Sequence, residues 1–213
     1  MKTVFIEARK NIKPNLDKVL PELKSLGDIT LATTVQYLDY SKAIKDNLDS
    51  VSAVKGIHSK YDMQILGCDA LKINIDKPVL YIGDGLFHPK ALLLNSKHPV
   101  YVLNPESEEI SKLTKEDIAN IEKKRKAGLT KFHSSNNIGV LITLKPGQYN
   151  PKAFELKNKY SDKNIFYLLT NTINFDSLED FNFVECFVNT ACPRISYDDS
   201  IRLPKPVVDI SEI

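Results

Sequence analysis

The chain has 213 residues, 42% hydrophobic and 26% charged, a balance that excludes a disordered or fibrous protein. Its 29 Lys and Arg against 27 Asp and Glu leave a net charge of only +2, which argues against a dedicated nucleic-acid binder. Three cysteines are too few, and odd in number, for a disulfide framework.

Taken in chain order, short β-rich runs alternate with longer helical ones. Residues 3–8 (TVFIEA) read as a strand. Over 14–26, Leu16, Val19, Leu20 and Leu23 recur at helical spacing and Gly27 stops them. A second strand is predicted at 29–34 and a helix at 41–51. The run VLYIG at 79–83 is continuously apolar, as expected of a strand buried on both faces. A helix at 88–95 follows, with Pro89 in its first turn, then a strand at 100–103. Residues 104–137 are polar, with one long helical pattern from about Lys115 to Phe132 that reads as a connector between modules. The theme then repeats, with strands at 138–144, 165–170 and 183–191 and helices at 150–160 and 176–181. The tail from Ile201 holds Pro204 and Pro206 and reads as extended. The pattern predicts an α/β fold of two similar modules, 1–106 and 107–213, with mainly parallel sheets flanked by helices.

The apolar run Val4-Phe5-Ile6 is shorter than the roughly 7–15 residues of a signal peptide. Ala91-Leu92-Leu93-Leu94 is far below the ~20 residues that span a bilayer. A cytoplasmic protein with no membrane partner and no direct nucleic-acid partner is expected.

In a parallel α/β sheet, ligands bind beyond the carboxyl ends of the strands. Four polar turns fall at such ends. Strand 29–34 leads into Val35-Gln36, and 79–83 into Asp84-Gly85-Leu86-Phe87-His88. Strand 138–144 leads into Lys145-Pro146-Gly147-Gln148, and 183–191 into Cys192-Pro193-Arg194. Each alone is a turn signature; together they predict a ligand cleft. Gly83 and Gly85 flank Asp84 and would let backbone amides approach a ligand, though the spacing is neither a P-loop nor a dinucleotide fingerprint. His88, taken alone, reads first as a surface residue opening a helix. Among the cysteines, an extended 183–191 would set Cys186 and Cys192 about 20 Å apart along the strand. One zinc ion, with its ~2.3 Å bonds to sulfur, could not hold both, so Cys186 reads as a packed core thiol. Cys68 and Cys192 both stand where an apolar run gives way to polar residues, and the pair is compatible with a shared metal site.

Four segments carry a resemblance: ILGCDALKI, YIGDGLFHPKALLL, LITLKPGQYNP and VECFVNTACPRISYDD. With VFIEAR near the start and TTVQY at 33–37, in that order, they closely resemble the 2-(3-amino-3-carboxypropyl)histidine synthases, the archaeal-type enzymes of diphthamide biosynthesis. The resemblance runs over roughly 2–208 and matches the second and third of that family's three α/β domains. It implies a 4Fe–4S cluster held by one cysteine from each domain, with Cys68 and Cys192 as two of the ligands and Cys186 matching none. It implies radical transfer of a 3-amino-3-carboxypropyl group from S-adenosylmethionine to a histidine of translation elongation factor 2. It further implies that the turns at Gly83, Asp84, Gly85, His88 and Gly147, together with Lys145, Gln148 and Arg194, hold that substrate, Arg being suited to bidentate carboxylate binding. The third cysteine would come from another chain that supplies the first domain. The alternatives are a noncatalytic partner subunit beside a homologous, complete synthase, and a metal-free or zinc-bearing α/β binding module.

Overall fold

A computed structural model describes residues 4 and 6–213 of the chain. The chain divides into two compact units, residues 1–118 and 119–213.

In the first unit, helix α1 (Leu16–Ser25) starts at Asn15, whose side chain accepts the Lys18 amide, and turns Val19 and Leu23 inward. Strand β1 (Ile29–Thr33) leads to helix α2 (Leu38–Lys45), and β2 (Val51–Ala53) leads through a long loop to β3 (Val79–Ile82). Helix α3 (Phe87–Asn95), β4 (Val100–Asn104) and β5 (Glu109–Leu113) complete the unit. The sheet order is β2-β1-β3-β4-β5, parallel except for β5. All four residues of β3 are buried because alternate side chains feed two cores. Val79 and Tyr81 pack with Ala32, Leu92 and Val100. Leu80 and Ile82 pack with Leu31, Leu23 and Ile44 on the other face.

The second unit holds most of helix α4 (Lys115–Ser134), then β6 (Asn137–Thr143), α5 (Leu156–Lys159), β7 (Asn164–Thr170), β8 (Cys186–Asn189), the short α6 (Arg194–Tyr197) and β9 (Val207–Asp209). Its order, β7-β6-β8-β9, is wholly parallel. Each unit therefore runs second, first, third, fourth in its own chain order. That is the doubly wound arrangement, with its switch point between β1 and β3 in one unit and between β6 and β8 in the other. The predicted fold class, two similar modules of mainly parallel sheet flanked by helices, is the one observed.

Several predicted elements differ. The strand expected at 3–8 includes Thr3 and Phe5, which lie outside the described residues. Residues 4 and 6–8 form no ladder, and Val4 and Ile6 are 79% and 91% exposed. Side chains tie this segment down instead. Glu7 accepts from Lys60 at 2.9 Å and Tyr61 at 2.7 Å, and its carboxyl is drawn down to about 2, first by the Lys60 hydrogen bond. The helix read at 41–51 begins at Leu38 and closes at Lys45, since Asp46 and Asn47 donate back to Lys42 and Ile44 in a turn and Val51 joins β2. Strand β5 was not expected, because an edge strand with Ile110 and Leu113 as its only apolar residues reads as a charged linker. It pairs with β4 and draws the module boundary from 106 to 118. The segment expected as a strand at 183–191 is regular only over Cys186–Asn189. Among the described residues, no helix is long and apolar enough to cross a membrane.

Candidate functional site

The two switch points place most of the predicted residues. In the first unit, the loop after β2 returns to the end of β1. The Thr33 amide donates to Met63 and the Ile65 amide to Thr33, each at 2.8 Å, so residues 63–65 extend the sheet. Cys68 follows three residues later, half-buried, at the C-terminal end of the strands. Gly67 makes the approach to the turn after β3 possible: a Cβ there would lie 2.9 Å from the ring of Phe87. Cys68 and the Gly83–His88 turn thus belong to one corner of the unit.

That corner is polar. Asp84 is exposed and faces Lys10 at 3.5 Å; its carboxyl is held below the usual range, first by the Tyr37 hydroxyl and then by its own backbone and Lys10. Lys10 also donates to Tyr37 at 2.9 Å and to Glu106, which raises the ammonium's pKa. Burial raises the Tyr37 phenol. His88 stacks on Tyr81 with 5.9 Å between ring centroids and meets Phe87 edge-on. It is part of the corner's packing rather than a surface residue. At Gly83 a Cβ would lie 2.6 Å from the Tyr81 hydroxyl, a packing reason for glycine there. Gly85 faces open space.

A buried carboxylate supports Cys68 from behind. Asp69 is fully buried and accepts from His58 Nδ1 at 2.8 Å, from Ser59 Oγ at 3.1 Å and from the His58 amide at 3.3 Å. A ligand atom from each of His58, Cys68 and Asp69 falls within 4.8 Å of the other two. With its oxygens already receiving three donors, Asp69 acts as an anchor joining the 56–59 loop to the Cys68 turn. Sequence reasoning missed this pair, because His58 lies in an irregular loop whose only signal was the acid directly after Cys68.

In the second unit, Lys145-Pro146-Gly147-Gln148 follows β6, and Cys192-Pro193-Arg194 follows β8, on neighbouring parallel strands. The first is a tight turn: the Gln148 amide donates to the Lys145 carbonyl at 3.1 Å, and Gly147, third residue of the turn and directly after Pro146, has φ +79°, a value suited to glycine. Lys145, Gly147 and Gln148 are all exposed. Arg194 is exposed on α6 and pairs with Asp198 at 3.1 Å. Cys192 is half-buried beyond the strand end.

Cys186 opens β8 at the other end of the strand, fully buried beside Ile138 and Val188. Burial pushes its thiol up to about 12. At pH 8 only about one molecule in 10⁴ would then carry the reactive thiolate. Iodoacetamide at pH 8 is expected to alkylate Cys68 and Cys192 and to spare Cys186 until the chain is unfolded. Peptide mapping checks this, and rapid labelling of Cys186 in the folded chain would show that its strand opens readily.

The donor chemistry tests which thiols suit an iron–sulfur group. Cys68 and Cys192 are partly open thiols on irregular turns, and none of the three cysteines forms a disulfide. They fit the soft thiolate ligation such clusters use. Cys186 does not: it is sealed in the sheet and holds its proton.

Fold and site together define a tandem doubly wound α/β protein that presents one cysteine at a sheet end in each unit. The chain belongs to the diphthamide synthesis protein family, whose model matches residues 1–213. It is 29% identical to the 2-(3-amino-3-carboxypropyl)histidine synthase of Methanocaldococcus jannaschii, over 97% of this chain and 59% of that protein. The enzyme of that name from Pyrococcus horikoshii is also 29% identical, over 99% of this chain and 64% of its own length. Human subunit 1 of the synthase is 25% identical over 96% of the chain and 48% of its own length. The crystal structure of Dph2 from Pyrococcus horikoshii with a 4Fe–4S cluster superimposes with a TM-score of 0.81 at 27% identity, over 94% of this chain and 62% of that one. The chain spans about three fifths of the archaeal relatives it matches.

Proposed function

We propose that this chain takes part in the first step of diphthamide formation, moving a 3-amino-3-carboxypropyl group from S-adenosylmethionine to a histidine of translation elongation factor 2. Support comes first from one contrast among the thiols: the two that match the family's ligands sit half-open at sheet ends, whereas Cys186 is buried and held protonated. Cys68 and Cys192 would hold two irons of a 4Fe–4S cluster, with the third cysteine provided from outside residues 1–213. The cluster, when bound, supplies the electron for cleaving the sulfur–carbon bond of the substrate, at a potential that its protein surroundings tune.

The chain's own residues bind and orient. Arg194 offers a planar fork to the substrate carboxylate, at the cost of its pairing with Asp198, and Lys145 adds a nearby positive charge. Gln148 and the backbone at Gly147 offer neutral polar groups from the same sheet end. In the first unit, Asp84, with its carboxylate kept ionised, is suited to accept from a ribose hydroxyl. The Gly83–Gly85 backbone and the His88 ring provide the adjoining surface.

The test is anaerobic turnover with a chemical reductant, scored by methylthioadenosine release and by modification of elongation factor 2. The chain alone should load iron poorly and form little product. Adding a polypeptide that carries the family's first domain, with its cysteine, should restore both. Full activity from residues 1–213 alone would remove the need for an outside cysteine. Absence of iron and product under both conditions would overturn the proposal and favour a metal-free binding module.

A further inference from the structure

The Cys192 turn is built around one buried amide. Asn189, the last residue of β8, is fully buried. Its Nδ2 lies 3.0 Å from the Cys192 carbonyl, 3.0 Å from Ser196 Oγ and 3.1 Å from Asp209 Oδ2. Its Oδ1 accepts the Ala191 amide at 3.1 Å. The amide therefore grips the chain one residue before Cys192 and at Cys192 itself. The Ile195 amide donates to the same Cys192 carbonyl at 3.1 Å and so closes the turn into α6.

Asp209, on β9 and 5% exposed, holds this amide in place. Its second oxygen accepts from the Ser211 amide at 3.0 Å and the Ser211 hydroxyl at 2.7 Å. With one carboxylate oxygen already occupied by Ser211, the other is left for Asn189 and Ser196. That pattern orients the Asn189 side chain with NH₂ toward Asp209 and C=O toward Ala191. Nothing in the sheet requires it. The ladder at position 189 uses only backbone groups, and an apolar side chain would fill the same space without desolvating an amide and a carboxylate. What the polar knot adds is a turn held in one conformation while the cysteine at its apex stays half-open.

We propose that Asn189, oriented by Asp209, is a positioning residue that presets the Cys192 turn as an iron-binding arm before metal arrives. The iron-binding part rests on the ligand role proposed above for Cys192; the preset turn does not. Preorganisation of this kind strengthens binding by removing the entropy lost when a loose ligand is ordered, and partners behind metal ligands typically matter by about 10–100-fold in affinity.

Two measurements on the whole chain decide it. In the iron-free protein, Asn189→Ala should raise amide exchange across 191–197 by on the order of tenfold, the size expected for losing one or two buried hydrogen bonds, while β6 is unchanged. Ser196→Ala removes the hydroxyl that accepts from Asn189 and donates to Asp209 but leaves the Asn189 contacts to Cys192, Ala191 and Asp209, so it should act more weakly; it decides the matter if Asn189→Ala does not fold. In protein loaded with ferrous iron and sulfide, together with the first-domain polypeptide, a chelator should strip iron from Asn189→Ala faster than from Val140→Ala. The latter truncates a buried core residue of β6, and the comparison is made at equal distance below each variant's own Tm, so general instability is controlled. The reduced cluster's electron paramagnetic resonance should also shift in Asn189→Ala and not in Val140→Ala. Unchanged exchange at 191–197 in folded Asn189→Ala overturns the preset turn. Equal iron loss from Asn189→Ala and Val140→Ala overturns its role toward iron. Iron retained by Cys192→Ser would instead refute the ligand role, with the exchange result standing on its own.

Discussion

Serine at position 192 is expected to cost the protein its iron and its product together, and serine at position 68 the same. Removing a ligand should exceed the roughly 10–100-fold effect of removing its outer partners, so iron content should fall by at least about tenfold. A hydroxyl is a poor donor to iron in a sulfur-rich cluster, and neither turn has a second thiol to substitute. Serine at position 186 is the internal control. That side chain lies in the core beside Ile138 and Val188, with its Sγ directed at the Gly128 carbonyl at 3.9 Å, and takes no part in the sheet-end turns. Cys186→Ser should leave iron content unchanged. Iron assay and visible absorption of the three variants, each checked for folding, make the comparison. Iron lost from Cys186→Ser, with the fold intact, would exchange the assignments of Cys186 and Cys192.

Asp69→Ala is expected to be the most damaging substitution for the first unit that leaves its apolar core untouched. Its carboxylate is the common acceptor for the His58 amide, His58 Nδ1 and Ser59 Oγ, and its truncation takes that acceptor from all three donors at once. Each buried donor left unmet costs about 1–3 kcal/mol. His58 is half-exposed and recovers part of that through solvent, so a total of roughly 2–3 kcal/mol is expected. For a unit of 118 residues, at about 2.1 cal/mol/K of unfolding entropy per residue, that lowers Tm by about 8–12 °C. Asp69→Asn keeps the shape and one acceptor oxygen and should cost less. Calorimetry on the two variants measures the difference; a drop of under a degree in Asp69→Ala would mean the 56–59 loop is held by other contacts. Amide exchange over 56–70 should locate the loosening at the loop that carries Cys68.

The two cysteine turns use one device in two versions. Asp69 ties a loop across to the residue beside Cys68, and Asp209 with Asn189 ties the residues around Cys192. In both, a buried carboxylate is fully satisfied by donors from its own unit. In both, the thiol itself is left partly open.

Much of this was legible in the sequence. Strands β1, β3, β4, β6 and β7 follow from apolar runs of strand length. Helices α1, α3 and α4 follow from spacing and from Pro89 and Gly27, since these signals are local and the backbone responds to them locally. Cys186 as a core thiol was also legible, because its flanking residues read as buried strand. The doubly wound order was not, nor was β5, which has too few apolar residues to announce itself; the tail reads only as extended, and its pairing with β8 depends on which edge is vacant. The packing around Gly83 was hidden for a related reason, since the Tyr81 hydroxyl two residues earlier fills the space a side chain there would need. His58 with Asp69, eleven residues apart through an irregular loop, and Asn189 with Asp209, on neighbouring strands, could be joined only by the folded chain. Composition, periodicity and motif spacing determined the class of fold and set Cys186 apart from the other two thiols. The tertiary structure decided which polar side chains stand behind them, because a hydrogen bond between residues distant in sequence leaves no periodic trace.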